Sequence, residues 1–201
     1  MPEEVIIRKI VKKDLPDVVR VHKNAFNSFF LTTLGTSFLT VYYRSVLKSL
    51  NAIVIGAYLD EKLIGFGVGA IVAKGFNKKL VLDNVFSFGW EAFKILFRNP
   101  HAILQLKNNF SKIGDIEDAG MYSELFSIAV EPSISTQGIG SAIIDSFEQR
   151  AKENGAKEVS LTTDFYDNEG TLSFYKKNGY RLYYEFVAYP NRKMYRFIKQ
   201  I

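Results

Sequence analysis

The chain of 201 residues contains no cysteine. That absence excludes disulfides, a thiol nucleophile and thiolate metal sites, and it sits most naturally with a reducing compartment. Histidine is scarce as well: His22 and His101 stand far apart and in no ligand spacing, so no metal site is expected. Long apolar runs are missing. The N-terminal MPEEVIIRKIVKKD has no apolar signal core, and the most apolar later stretch, Val81 to Leu106, is interrupted by Asp83, Glu91, Lys94, Arg98 and Pro100. A cytoplasmic chain with no membrane partner is the expectation. The pattern Gly-x-x-x-x-Gly-Lys-Ser/Thr does not occur, which disfavours a nucleotide-phosphate binder of that kind.

A hydrophobic fraction of 47% supports a folded globule, and the length suits one domain over residues 1–201 with a sizeable core. The net charge is +5 and the isoelectric point about 9.2. Lys and Arg are scattered rather than clustered, so nucleic acid is not an expected partner.

The stretch from Ser123 to Glu153 organises the rest. Leu125 to Val130 is a short apolar run that suits a buried strand, Glu131-Pro132-Ser133 breaks it, and Gly138-Ile139-Gly140 leads into a helix. Ile143, Ile144, Phe147 and Ala151 share one helical face, Asp145, Glu148, Gln149 and Lys152 the other, and Gly155 supplies the stop. The first amides of such a helix lack partners, and two glycines leave them unshielded, so backbone N–H groups and the helix dipole can hold a phosphate. Gly-x-Gly at a helix start equally serves close packing of helix on strand, and the residues alone leave both readings open.

Val130-Glu131-Pro132 followed by Ser135-Thr136-Gln137-Gly138-Ile139-Gly140 resembles the acetyl-CoA-binding motif of the GNAT superfamily of N-acetyltransferases, V-x-P then Q/R-x-x-G-x-G/A. Ser135 departs from the family's Gln or Arg, and Gln137 is the side chain nearest to substitute. Asn168-Glu169-Gly170-Thr171-Leu172-Ser173-Phe174-Tyr175-Lys176-Lys177-Asn178-Gly179-Tyr180 resembles the family's second motif, N-x-x-A-x-x-F-Y-x-x-x-G-F, with Thr171 in place of Ala. The resemblance implies an α/β fold: a mixed, mostly antiparallel sheet flanked by helices. It implies acetyl-CoA as cosubstrate, no metal, and a coenzyme site at Ile128, Ala129, Val130, Ser135, Thr136, Gln137, Gly138, Ile139, Gly140, Ser141, Asn168 and Tyr175.

In chain order, Val5 to Val11 reads as a strand. Asp14 is placed to cap a helix with Pro16 in its first turn, and Leu15, Val18, Val19, His22, Ala25 and Phe26 form its apolar face, with His22 read as a core histidine. A second helix is predicted over Thr36 to Lys48. The family's acceptor entrance borders the region between these helices, making Phe29, Phe30 and Tyr42 candidates for substrate contact; core packing explains each of them too. Ala52 to Leu59 and Lys62 to Ala73 read as a hairpin turning at Asp60-Glu61. Gly65, Gly67 and Gly69 leave one face of its second strand bare for a helix or a ligand. Residues 74–120 exceed the family's usual short turn between third and fourth strands. They read as an inserted pair of helices, Asn84 to Phe97 and Pro100 to Ile113, forming an acceptor lid or a dimer face. A strand at Glu158 to Thr163, a helix at Glu169 to Asn178 and a hairpin of Tyr180 to Val187 and Met194 to Ile198 complete the chain.

Direct acetyl transfer to an amine requires a base, a donor for the thioester oxygen and an acid for the departing thiolate. By resemblance Glu124 is the candidate base, the main-chain N–H of Ile128 the donor, and Tyr175 the acid. Solvent exposure at a strand edge accounts for Glu124 and core packing for Tyr175 equally simply. The aromatic entrance suits a small-molecule amine, such as an amino sugar carried on a nucleotide, better than a protein tail. A non-catalytic acyl-CoA-binding module and a protein acetyltransferase are the alternatives.

Overall fold

The computed structural model describes residues 4–27, 29–98, 118–134, 138–188 and 191–201. Strand β1 (Ile6–Lys9) leads through a 3-10 turn to helix α1 (Leu15–Ala25), the short α2 (Phe30–Thr33) and α3 (Thr36–Lys48). The hairpin of β2 (Ala52–Leu59) and β3 (Lys62–Ala70) turns through Asp60 and Glu61, both at positive φ (47° and 61°). This is the twist a tight hairpin turn needs. Helices α4 (Phe76–Asp83) and α5 (Val85–Arg98) follow, then β4 (Ser123–Val130), α6 (Ile139–Glu153), β5 (Glu158–Asp164), α7 (Glu169–Lys177), β6 (Arg181–Ala188) and β7 (Arg192–Gln200).

The seven strands form one sheet in the order β1-β2-β3-β4-β5-β7-β6, antiparallel at every step except β4 with β5. This is the expected mixed, mostly antiparallel architecture. One face carries α1 and α3, where Val18, Val21, Phe38, Leu39, Tyr43 and Val46 pack on Val54, Phe66 and Val68. The other carries α6 and α7, where Ile143, Ile144, Phe147 and Tyr175 pack on Ile53, Ile55, Leu125, Leu161 and Phe197.

The bare glycine face of β3 is taken by a helix. A Cβ at Gly67 would lie 2.6 Å from Cγ2 of Ile143, and one at Gly69 2.7 Å from Cζ of Phe147 and 2.0 Å from the Glu124 carbonyl oxygen. Glycine therefore sets how closely α6 approaches the sheet.

Two expectations need correction. Asp14 occupies the N-cap position of α1, yet its side chain caps nothing there. Its carboxylate turns back to accept from the Val11 amide (2.9 Å), closing the preceding 3-10 turn, and from the buried Tyr58 hydroxyl (2.7 Å). Within residues 74–120 a helix that was not predicted, α4, precedes α5, which overlaps the one expected over Asn84 to Phe97. The predicted helix over Pro100 to Ile113 lies outside the described residues.

The sheet splits at its only parallel pair. β4 carries a bulge: Val68 faces Ser127 and Gly69 faces Leu125, leaving Phe126 unmatched. β4 then pairs with β5 only from Ser123 to Leu125, while β5 continues to Asp164 against β7. Beyond Leu125 the two strands part, and a wedge opens along the edge of β4.

Candidate active site

The amides of β4 point alternately to its two sides. Glu131 donates to the Ile64 carbonyl on β3 (2.8 Å), and the register from Gly65↔Val130 to Val68↔Ser127 is unbroken. Alternation then turns Ser127 and Ala129 towards β3 and directs the N–H groups of Ile128 and Val130 into the wedge. Ile128 and Val130 are half-buried there.

At the mouth of the wedge stands the N-terminus of α6. Gly138 sits at φ 76°, and an added Cβ would meet nothing within 4 Å. Its carbonyl accepts from Ala142 (3.1 Å) and no described side chain caps the helix, which leaves the amides of Ile139, Gly140 and Ser141 unpartnered within it. Gly140 has a different task. A Cβ there would lie 3.1 Å from Cζ of Phe174, so it admits α7. The two readings of Gly-x-Gly therefore divide between the glycines: the first opens a row of donors, the second packs. Such a row, at the positive end of a helix of four turns, fits a phosphate or pyrophosphate ligand. Ser135, Thr136 and Gln137 lie outside the described residues.

Tyr175 on α7 is buried beside Tyr180 and Phe197, at ring separations of 6.1 and 6.3 Å. Its hydroxyl bonds no described group, and burial raises its pKa to about 12. Asn168 holds the N-cap position of α7 but makes no side-chain cap; its amide donates to the Thr163 hydroxyl and the Asp164 carbonyl, tying the helix start to the end of β5.

On the opposite face Glu124 is not a solvent-facing strand-edge charge. Its side chain is 14% exposed and accepts from Arg196 of β7 at 3.0 Å. Arg196 also donates to the Ser160 hydroxyl (2.9 Å) and lies 3.6 Å from Asp118, whose carboxylate is bound by the hydroxyls of Tyr122 and Tyr184 and by the Gly120 amide. Burial raises the Glu124 pKa, Arg196 lowers it and Asp118 raises it, leaving it above the usual carboxylate value. Tyr42 projects from α3 towards this group. Burial, and to a lesser extent the Glu124 charge, lifts its pKa to about 12.

The structure thus brings Glu124 and Tyr42 together and places Tyr175 across the sheet. Only a ligand threading the wedge can meet both sides. Phe29 is at the rim, 40% exposed, with the Arg192 guanidinium 5.3 Å from its ring centre; Arg192 is paired with Asp164. Phe30 packs into the α1–α3 core. Sequence reasoning missed Arg196, Asp118, Tyr122 and Tyr184. The one available signal was a lone arginine inside the otherwise apolar and aromatic run Met194-Tyr195-Arg196-Phe197-Ile198.

A mixed seven-stranded sheet with helices on both faces is the fold of the GNAT acetyltransferases. Residues 21–180 match the profile of the Acetyltransferase (GNAT) family, and the chain belongs to that family. Over 55 residues it is 38% identical to the uncharacterized protein YxbD of Bacillus subtilis (strain 168), a match covering 27% of this chain and 34% of that protein. Among solved structures it resembles the ribosomal-protein-S18-alanine N-acetyltransferase of Escherichia coli (TM-score 0.63, 15% identity, 98% of this chain and 94% of that one). It also resembles the PaiA N-acetyltransferase of Thermoplasma acidophilum in complex with coenzyme A (TM-score 0.57, 16% identity, 98% and 99%). A third likeness is to the aminoglycoside N-acetyltransferase AAC(6')-Iy in complex with CoA (TM-score 0.65, 13% identity, 94% and 95%). At these identities the likeness is one of fold. Among the described residues no helix is long and apolar enough to cross a membrane.

Proposed function

We propose that this acetyltransferase moves an acetyl group from acetyl-CoA directly to the primary amine of a small-molecule acceptor. The observation that carries the reading is the open, left-handed Gly138 followed by amides that have no partner among the described residues, at the mouth of the wedge between β4 and β5. Ile139, Gly140 and Ser141 would grip the pyrophosphate, as would Ser135, Thr136 and Gln137 beside them. Ile128, Ala129 and Val130 would run along the pantetheine arm, with the Ile128 N–H donating to the thioester oxygen as charge develops. Bound acetyl-CoA supplies the thioester. Glu124 takes the proton of the acceptor's ammonium, and Tyr175 keeps its own proton at neutral pH and can give it to a thiolate. The fold relatives include acetyltransferases named for a ribosomal protein and for aminoglycosides. The contact of Phe29 with Arg192, itself paired with Asp164, ties the α1–α2 connection to β5 and β7 and supports the small-molecule reading.

Thiol release from acetyl-CoA with a panel of amines tests this, alongside calorimetry of coenzyme A. Binding with release stimulated by one amine class is the expected result. Binding with no release from any amine would identify a non-catalytic acyl-CoA module, and absence of binding would remove the reading altogether.

A further inference from the structure

On the acceptor side of the sheet Arg196, Glu124 and Asp118 form a cluster of one guanidinium and two carboxylates, all largely buried. Side-chain exposures are 13% for Arg196, 14% for Glu124 and 7% for Asp118. A buried glutamate paired one-to-one with an arginine is held as a stable anion, and that makes it a poor base. The arrangement here is different. Asp118 is pinned by the Tyr122 hydroxyl, the Tyr184 hydroxyl (2.6 Å) and the Gly120 amide (3.0 Å). It faces Nε of Arg196 at 3.6 Å, just too far for a hydrogen bond, and that Nε has no other partner among the described residues. Arg196 leans on Glu124 through a nitrogen it also shares with Ser160. Two negative charges thus divide one positive charge at a largely buried site.

We propose that Asp118 is a positioning residue: held in place by Tyr122 and Tyr184, it takes a share of Arg196 and so leaves Glu124 basic enough to accept the proton of the acceptor's ammonium. In that step one N–H bond of the ammonium breaks and an O–H bond forms on Glu124, directly or through one water; nothing is oxidised. The inference rests on the reading of Glu124 as the base. The charged and titratable groups facing Glu124 are Arg196 from β7, Asp118 and Tyr122 from the segment before β4, and Tyr42 from α3. Burial raises the Asp118 carboxyl, but the two tyrosine hydroxyls, the Gly120 amide and Arg196 more than offset it, so Asp118 stays ionised while Glu124 titrates. Tyr42 and Tyr122 are both shifted upward and remain neutral over that range. Asp118 and Arg196 therefore act on Glu124 with opposite signs.

The test uses the full chain labelled with side-chain carboxyl ¹³C-glutamate, the Glu124 signal being assigned by its loss in Glu124→Gln. Asp118→Asn should move the Glu124 midpoint to lower pH, and Arg196→Gln should move it to higher pH. The acid limb of the thiol-release rate, measured with the panel amine that supports it, should follow the midpoint in each variant. In Asp118→Asn the plateau turnover should fall by roughly two- to tenfold as the base weakens, with KM for acetyl-CoA unchanged. If Asp118→Asn does not fold, Tyr184→Phe, which removes one bond from Asp118 at a half-buried position, should shift the midpoint in the same direction by less. A midpoint that stays put or rises in Asp118→Asn would reduce Asp118 to a scaffold, and a moving midpoint with a stationary limb would separate it from the chemistry. Full turnover in Glu124→Gln would overturn the base assignment itself, whereas an inactive Glu124→Gln with an unshifted Asp118→Asn would overturn this inference alone.

Discussion

Tyr175 shows how one side chain can satisfy two demands. Its ring fills the α6–α7 core beside Tyr180 and Phe197, and the burial that makes it a good core residue also raises its pKa to about 12. A phenol shifted in that direction keeps its proton throughout the neutral range, which is the form an acid needs. Tyr175→Phe keeps the ring and removes only the hydroxyl. Turnover should fall by roughly ten- to a thousandfold with coenzyme affinity nearly intact, and steady-state kinetics beside calorimetry would show it. Unchanged turnover would leave Tyr175 a packing residue only. Gly138 makes the complementary case. At φ 76° a valine there is strained by about 1–2 kcal/mol and places methyl groups over the bare amides. Gly138→Val should lose coenzyme binding while far-ultraviolet circular dichroism stays close to that of the parent protein, and normal binding by calorimetry would remove the cradle.

At the scale of elements, the glycines of β3 govern how α6, and with it the amide row, is set on the sheet. The Cβ added by Gly69→Ala falls 2.0 Å from the Glu124 carbonyl oxygen and 2.7 Å from Phe147, inside both backbone and a fully buried ring, with no flexible atom to yield. A loss of about 3 kcal/mol or more is expected, read as a fall in the urea midpoint at unchanged slope. An alanine tolerated within a few tenths of a kcal/mol would mean that α6 is free to ride outward. These elements were legible because their signals are local. The apolar spacing from Thr36 to Lys48 and from Ile139 to Glu153, and the alternating glycines, depend only on neighbours in sequence. The misplaced features share the opposite cause. Asp14 and Asn168 carry good capping side chains, but each is drawn to a partner that tertiary structure provides, Tyr58 in one case and Thr163 in the other. The Glu124–Arg196 pair joins residues 72 apart, through the pairing of β5 with β7 that no local pattern announces.

For the molecule as a whole, the group that should dominate mild acid sensitivity is His22, in the α1–α3 core. Its ring lies 5.0 Å from Phe26 and 5.6 Å from Tyr43, and burial lowers its pKa to about 4. The Tyr43 hydroxyl, with a pKa well above the ordinary phenol, shares a hydrogen bond with Nδ1 of His22 (2.6 Å), and the buried Nε2 has no partner among the described residues. In the unfolded chain the same histidine binds a proton near pH 6.5. The folded value is the lower of the two, so the stabilisation from keeping His22 neutral is complete above about pH 6.5 and is lost as pH falls towards 4. It amounts to at most about 3 kcal/mol. Glu124 works the other way, since a carboxyl raised by folding costs stability as it ionises, and Asp14 and Asp118, both lowered, add their losses only at more acid pH. Replacing the histidine isolates its share. His22→Gln, which does not titrate, should be less stable than the parent at pH 7 but lose much less between pH 7 and pH 4.5, and urea unfolding at the two pH values measures the difference. Equal losses in the two proteins would mean that His22 is protonated in the native core, and the neutral, Tyr43-bound ring described here would be wrong.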